Sequence, residues 1–371
     1  MKIKRLELKN FRNYREEKIE LPSGASVFLG QNAQGKTNIL EAVYYAALGR
    51  SHRTSADVEL VRWEEREALL SLDFFRMDAE NQLEFRFFRE SRRKIFRNGA
   101  PILMKDLVGT VNVVLFSPED LLLVKGAPAG RRRFLDMEIS QIDPSYFYDL
   151  AVYTRLLSQR NTLLKRVRDG EADESEIPLW DVQMIPRAVN LIRKRIEAVK
   201  KMDGFASRTH REISGGKENL SLRYELHGAD GEESGSMTKD LFSWYNEKLA
   251  ESIRLDIMRG VTRFGPHRDD LALLVNGADL RSYGSQGQQR TGVLSLKLAE
   301  LAFFREETGE YPILLLDDVM SELDRDRREK LLSFIRGEKL QALITATDEA
   351  YFPSGSFGNF FDVSHGTVTA R

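Results

Sequence analysis

Cysteine is absent from the 371 residues, which excludes disulfides, thiolate zinc sites and iron–sulfur clusters. That absence fits a reducing cytosol, and a cytoplasmic location is expected. Net charge is also nearly lacking, with 56 Lys and Arg against 57 Asp and Glu, a formal balance of −1. Bulk charge therefore does not announce a nucleic-acid binder, and any DNA contact must come from local basic patches. Long apolar runs are missing too. No stretch approaches the roughly 18 apolar residues that a membrane-spanning helix needs. The start, MKIKRLELKNFRNY, alternates charged with apolar residues and has no signal-peptide core. What is present reads as globular: 42% hydrophobic and 30% charged residues, in a length that favours two lobes over one core.

The chain opens as strands around Ile3–Leu8, Ile19–Leu21 and Ala25–Leu29, then turns helical from Lys36 to about Leu48, with Gly49 as a stop. Alternating strands over Ala68–Phe75 and Leu83–Phe88 lead to Asn98-Gly99, a hairpin turn. Phe147, Leu150, Thr154, Leu157, Asn161 and Leu164 recur at helical spacing, as do Val182, Ile185, Val189, Ile192, Ile196 and Val199. Joined by the polar stretch Arg168–Ile177, they predict two antiparallel helices, the second kinked at Pro186. A turn-rich acidic stretch covers 227–238. Beyond it come a strand at Leu271–Val275, a helix from about Thr291 to Arg305, a buried strand at Ile313–Leu316, a helix over Asp326–Ile335 and a buried strand at Ala342–Ala346.

Gly30-Gln31-Asn32-Ala33-Gln34-Gly35-Lys36-Thr37 fits G-x-x-x-x-G-K-[ST], entered by an apolar strand and left by a helix. The glycines let backbone N–H groups wrap phosphates at a helix N-terminus. Lys36 is then the cation for the β- and γ-phosphates of ATP and Thr37 a Mg²⁺ ligand. Ile313–Leu316 ends in Asp317-Asp318. At the C-terminal edge of a parallel sheet this makes Asp317 the metal-directed acid and Asp318 the group that polarises the attacking water. The plainer alternative is that both carboxylates cap the following turn. Ser285-Gln286-Gly287-Gln288 precedes the next helix and offers a second anion site. One triphosphate needs only one loop, so this element serves another subunit's nucleotide or is simply an N-capped helix. Arg131, Arg132 and Arg133 form a basic cluster at a helix start, a candidate DNA contact.

In this order the motifs resemble the ATP-binding-cassette ATPases, and among them the SMC-type heads of DNA repair. Asn10-Phe-Arg-Asn-Tyr14, Gly49-Arg-Ser-His-Arg-Thr54, Phe116-Ser-Pro-Glu-Asp120, Gly126–Asp136, Gly265-Pro-His-Arg-Asp-Asp270, Gly284–Arg290 and Ser321-Glu-Leu-Asp324 together are similar to blocks of the RecF family of recombination mediators. The resemblance implies a two-lobed α/β head. Residues 1–119 plus 291–371 would form the ATPase lobe with a mixed sheet, and 120–290 a mostly helical lobe carrying the signature. It also implies an ATP-dependent head-to-tail homodimer. ATP would be bound in cis by Gly30–Thr37 with Arg12 nearby, and met in trans by Ser285, Gly287 and Gln288, with Asp324 in the interface loop. The implied activity is a weak, DNA-stimulated ATPase coupled to dimerisation. It acts on single-stranded or gapped DNA, in recombinational repair and the SOS response, with mediator proteins of the RecR and RecO type as partners. Two departures stand out: Thr347 occupies the place of the switch histidine, and no glutamine marks the lobe junction near Phe116–Asp120. The alternative from another class is the nucleotide-binding engine of a membrane transporter. A cohesin-like head is a third, but its long coiled-coil arm has no counterpart in the short helical pair.

Overall fold

The computed structural model describes residues 1–229, 241–338, 340–353 and 357–371. Most of the turn-rich stretch expected over 227–238 thus lies outside the described residues. The chain separates into two compact units, Met1–Asp120 with Glu300–Arg371, and Leu121–Ala299.

The first unit holds two sheets, and the one that carries the phosphate loop is mixed. One is ordered Thr367–Ala370, Asn359–Ser364, Ala25–Leu29, Ala342–Ala346, Ile313–Asp317, Val113–Phe116, and all its pairs are parallel except the first. Its three central strands are buried at every residue. That is why they read as apolar runs interrupted only by Ser26, Asp317 and Thr345: covered faces on both sides leave no position for a polar alternation. The register sets Leu29 beside Ala346 and Asp317 beside Thr345. The strand ends that carry the phosphate loop and the acidic pair therefore flank a single intervening strand.

The other sheet is antiparallel, built on Lys2–Phe11, Tyr14–Glu20, Glu67–Arg76 and Ala79–Phe88 with two short strands joined at Asn98-Gly99. Asn98 and Gly99 both have positive φ, 50° and 79°, as a tight hairpin turn requires. The helix Lys36–Leu48 shares one core with both sheets. Tyr45 sits edge-on to Phe85 and Phe87, with ring centroids 5.5 and 5.0 Å away. Gly49 ends the helix in the left-handed region at φ 61°, its N–H donating to the Tyr45 carbonyl.

The second unit is mainly helical: Pro128–Ile142, Pro144–Arg168, Ile177–Ile213 and Leu241–Arg259, with a three-stranded antiparallel sheet. Asp143 caps the second helix by accepting the Ser145 N–H at 2.9 Å, with Pro144 in the first turn. Ion pairs fix the direction of its packing on Ile177–Ile213. Arg160 meets Asp181, Asp149 meets Arg187 and Asp143 meets Lys194, so the two run antiparallel. Pro186 lies inside the longer helix without ending it. The buried face of Pro144–Arg168 is Tyr146, Asp149, Tyr153, Leu156, Arg160, Leu163 and Leu164, one position away from the apolar series read from the sequence except at Leu164, which belongs to both. Two of its members are charged, and each is neutralised across the interface; an apolar-only pattern passes over such residues. Val182, expected inside, is 71% exposed.

The junction between units falls at Ala299/Glu300, not at 290/291. The helix expected from Thr291 begins at Gln286 and runs unbroken to Thr308, across that junction. Among the described residues no helix is long and apolar enough to cross a membrane.

Candidate nucleotide site

The phosphate loop leaves the buried strand Ala25–Leu29 and closes into the helix that starts at Lys36. Gly35 has φ 114°, and a Cβ there would sit 2.6 Å from the Asn13 amide and 2.9 Å from the Tyr14 hydroxyl. Only glycine fits that position. The Lys36 side chain folds over its own loop, donating to the carbonyls of Gly30 at 2.6 Å and Gln31 at 2.8 Å. Burial pushes the Lys36 ammonium below its ordinary value, while Asp318 and Asp317 pull it back.

Thr37 and Asp317 are 280 residues apart in sequence, yet the Thr37 hydroxyl donates to Asp317 Oδ1 at 2.9 Å. The same oxygen accepts the Thr345 hydroxyl at 2.8 Å, and Thr345 Oγ1 in turn accepts the Asp318 N–H at 2.9 Å. Thr345 thus ties both acids to the neighbouring strand. Asp318 takes a left-handed φ of 54°, uncommon for any residue but glycine. Its Oδ1 is buried and has no hydrogen-bond partner among the described residues. Burial raises the Asp318 carboxyl above the ordinary carboxylate range, Asp317 and Glu322 add to the rise, and Lys36 opposes it. A cleft of about 330 Å³ joins these groups, lined by Asn32, Ala33, Lys36, Thr37, Arg53 and Asp318 among others.

A polar chain supports the loop from below. Asn13 donates to the Gln34 carbonyl at 3.0 Å, Asn38 donates to Asn13 at 2.8 Å, and Arg53 donates to Asn38 at 2.8 Å. Arg12 is held bidentate by the fully buried Glu41, at 2.8 and 2.6 Å, and by the Glu59 carbonyl. Arg53, Asn13 and Thr345 escaped the sequence reading. Thr345 left one signal, a hydroxyl in the middle of an otherwise apolar buried strand. Thr347, at the place of the switch histidine, is exposed.

In the second unit Ser285 and Gln288 cap their helix reciprocally. The Ser285 N–H donates to Gln288 Oε1 at 2.8 Å and the Gln288 N–H to Ser285 Oγ at 3.2 Å. Gln288 also donates to Glu218 at 2.9 Å. Ser285 is exposed and Gly287 half-buried, so the cap stands open to a second molecule. Asp324, in the first unit, caps the helix Arg325–Gly337 and pairs with Arg327.

The basic cluster at Arg131, Arg132 and Arg133 needs correction. Arg131 is 5% exposed and bidentate to Asp270, at 2.8 and 2.6 Å, so its charge is consumed inside the unit. Arg132 is half-buried and donates to the Asp269 carbonyl. Only Arg133 of the three is exposed. Arg93 is bound to Asp57, and Arg195 is buried against Asp136. His267 serves structure: its Nε2 lies 3.0 Å from the Thr262 carbonyl and must donate, so Nδ1 accepts the Tyr153 hydroxyl at 2.6 Å.

Residues 2–365 match the family model of the RecF/RecN/SMC N-terminal domain. The DNA replication and repair protein RecF of Halothermothrix orenii is 45% identical over 94% of this chain and 92% of its own length. That of Clostridium novyi is 41% identical over 94% and 93%. A solved structure of the recombination mediator protein RecF of the RecFOR pathway, in complex with an ATP analogue, superposes with a TM-score of 0.90. It is 35% identical and covers 99% of this chain and 97% of the other. An Smc head from Pyrococcus furiosus, at 17% identity and a TM-score of 0.58, shares the fold alone. With its ATP-binding-cassette ATPase fold and full-length relatives, the chain belongs to the RecF family of DNA replication and repair proteins.

Proposed function

We propose that the chain binds ATP with Mg²⁺ in the cleft at Gly30–Thr37, dimerises head to tail around it, and hydrolyses it slowly while bound to DNA. The observation that carries this is the Thr37–Asp317 hydrogen bond beside Lys36, at the C-terminal edge of a parallel sheet. The hydroxyl and the carboxylate together suit a hard, oxygen-loving cation. Bound there, Mg²⁺ would neutralise charge on the β- and γ-phosphates.

The residues divide the remaining work. Lys36 exchanges its two carbonyl acceptors for phosphate oxygens, and the loop N–H groups of 31–35 cradle the chain of phosphates. Asp318, with its unpartnered oxygen, accepts a proton from the attacking water. A carboxylate one methylene shorter than glutamate reaches less far, which suits slow turnover. Ser285, Gly287 and Gln288 meet the partner's γ-phosphate, opening their cap to do so, and Asp324 lies in the crossing loop. Arg12 lies near the nucleotide, its guanidinium held by Glu41 and the Glu59 carbonyl.

DNA joins through the closed dimer, which duplicates each exposed basic residue. The substrate is single-stranded or gapped DNA in the cytoplasm, and RecR- and RecO-type proteins are the partners. The full-length match to repair proteins disfavours the transporter reading. A salt titration of DNA binding with and without ATP tests the proposal. ATP should raise affinity and steepen the salt dependence; identical curves would contradict it.

A further inference from the structure

The strand that delivers the phosphate loop pairs on its outer side with Asn359–Ser364, the first arm of a hairpin closed by His365-Gly366. This hairpin is packed in place by Phe361, stacked on Phe28 at 5.2 Å, and by the Val368 N–H on Glu17. Its turn lies against the back of the loop. The His365 N–H donates to Gln34 Oε1 at 2.7 Å, and the Gly366 N–H to the Gln34 carbonyl at 3.3 Å. A Cβ on Gly30 would collide with the Val363 carbonyl, and one on Gly366 would lie 2.5 Å from the Asn13 carbonyl. Both turn residues have positive φ, 51° and 77°, so the turn is a tightly specified structure.

The consequence follows from peptide geometry. A trans peptide is planar, with C=O and N–H pointing in opposite directions. Gly366 and Asn13 hold the Gln34 carbonyl on the hairpin side, so the N–H of Gly35 is turned to the opposite side, towards the concave face of the loop. We infer that the C-terminal hairpin turn is a positioning element of the nucleotide site, and that Gln34 and Gly366 act through the loop peptide rather than by touching ATP. The inference rests on the reading of Gly30–Thr37 as the phosphate cradle. Within that loop it assigns Gln34 the role of an anchor.

The test compares ATP KM and kcat for the full chain and four variants. Lys36→Met reports on the cradle itself. Gln34→Leu keeps the backbone and the approximate side-chain size but removes the acceptor; Gly366→Val displaces the turn, because its Cβ and its φ are both incompatible there. Gln34→Leu and Gly366→Val should each raise KM about tenfold, the loss of roughly one hydrogen bond. In Gly366→Val kcat at saturation should stay within about twofold, because the acids sit on another strand. His365→Ala keeps the donating N–H and should behave as wild type. If Gly366→Val does not fold, Gln34→Leu still decides. Normal KM in Lys36→Met would overturn the cradle reading. Loss in Lys36→Met with normal KM in Gln34→Leu and Gly366→Val would overturn this inference alone, as would damage in His365→Ala equal to that in Gln34→Leu.

Discussion

Lys36 is a buried cation whose hydrogen bonds go to two backbone carbonyls, at 2.6 and 2.8 Å, with Asp317 and Asp318 near enough to act on its charge. Each charge-assisted hydrogen bond from Lys36 to a phosphate oxygen contributes about 1.5–3 kcal/mol. Lys36→Met should therefore weaken ATP binding by about 100-fold, read by calorimetry; wild-type affinity would remove the site. At Asp318 the sign of the pH effect follows from the environment. Only the carboxylate can take a proton from water, so activity falls as pH drops through its pKa. Burial raises that pKa, so the acid limb of kcat should lie above the ordinary value of about 3.9. Asp318→Asn should retain ATP binding, slow hydrolysis by about 100-fold and lose that limb. The sequence displays Gly30–Thr37 plainly because one contiguous segment makes the whole cradle. Thr345, Asn13 and Arg53 do not announce themselves, since each reaches the site through the pairing of distant strands or the packing of a loop.

At the scale of elements, hydrophobic periodicity served well where a face was purely apolar and failed where charges were buried in pairs. The strands Ala25–Leu29 and Ala342–Ala346 were legible to the residue. The face of Pro144–Arg168 was misplaced, because Asp149 and Arg160 occupy core positions and are neutralised by Arg187, Asp181 and Asp256. The hairpin Asn359–Ala370 was passed over. Its short, half-exposed strands carry little pattern, though they support the loop. Arg131 shows the same misreading from the other side: a sequence cluster of positive charge is partly an internal ion pair. Arg131→Ala should lower stability by about 3 kcal/mol, because Asp270 is left without its partner. DNA affinity, measured on protein still folded, should change little. Arg133→Glu should do the opposite, weakening DNA binding with no shift in melting temperature. Equal effects of the two on DNA would contradict the assignment of Arg131 to structure.

For the whole molecule, a balance of −1 leaves one subunit with little electrostatic reason to hold DNA, and the proposed dimerisation would be the step that gathers charge. The signature is the part that joins the two scales. Ser285 and Gln288 satisfy each other in the single chain, and in the dimer the same hydroxyl and backbone would turn to a phosphate. Ser285→Arg places a bulky cation at that contact while leaving the phosphate loop of its own chain intact. The most direct measurement is the mass in solution of the wild type and of Ser285→Arg, each with and without ATP and Mg²⁺. The account predicts that nucleotide doubles the mass of the wild type only, while Ser285→Arg binds ATP and stays a monomer. A wild type that remains monomeric with saturating ATP, or a Ser285→Arg variant whose mass doubles, would contradict it.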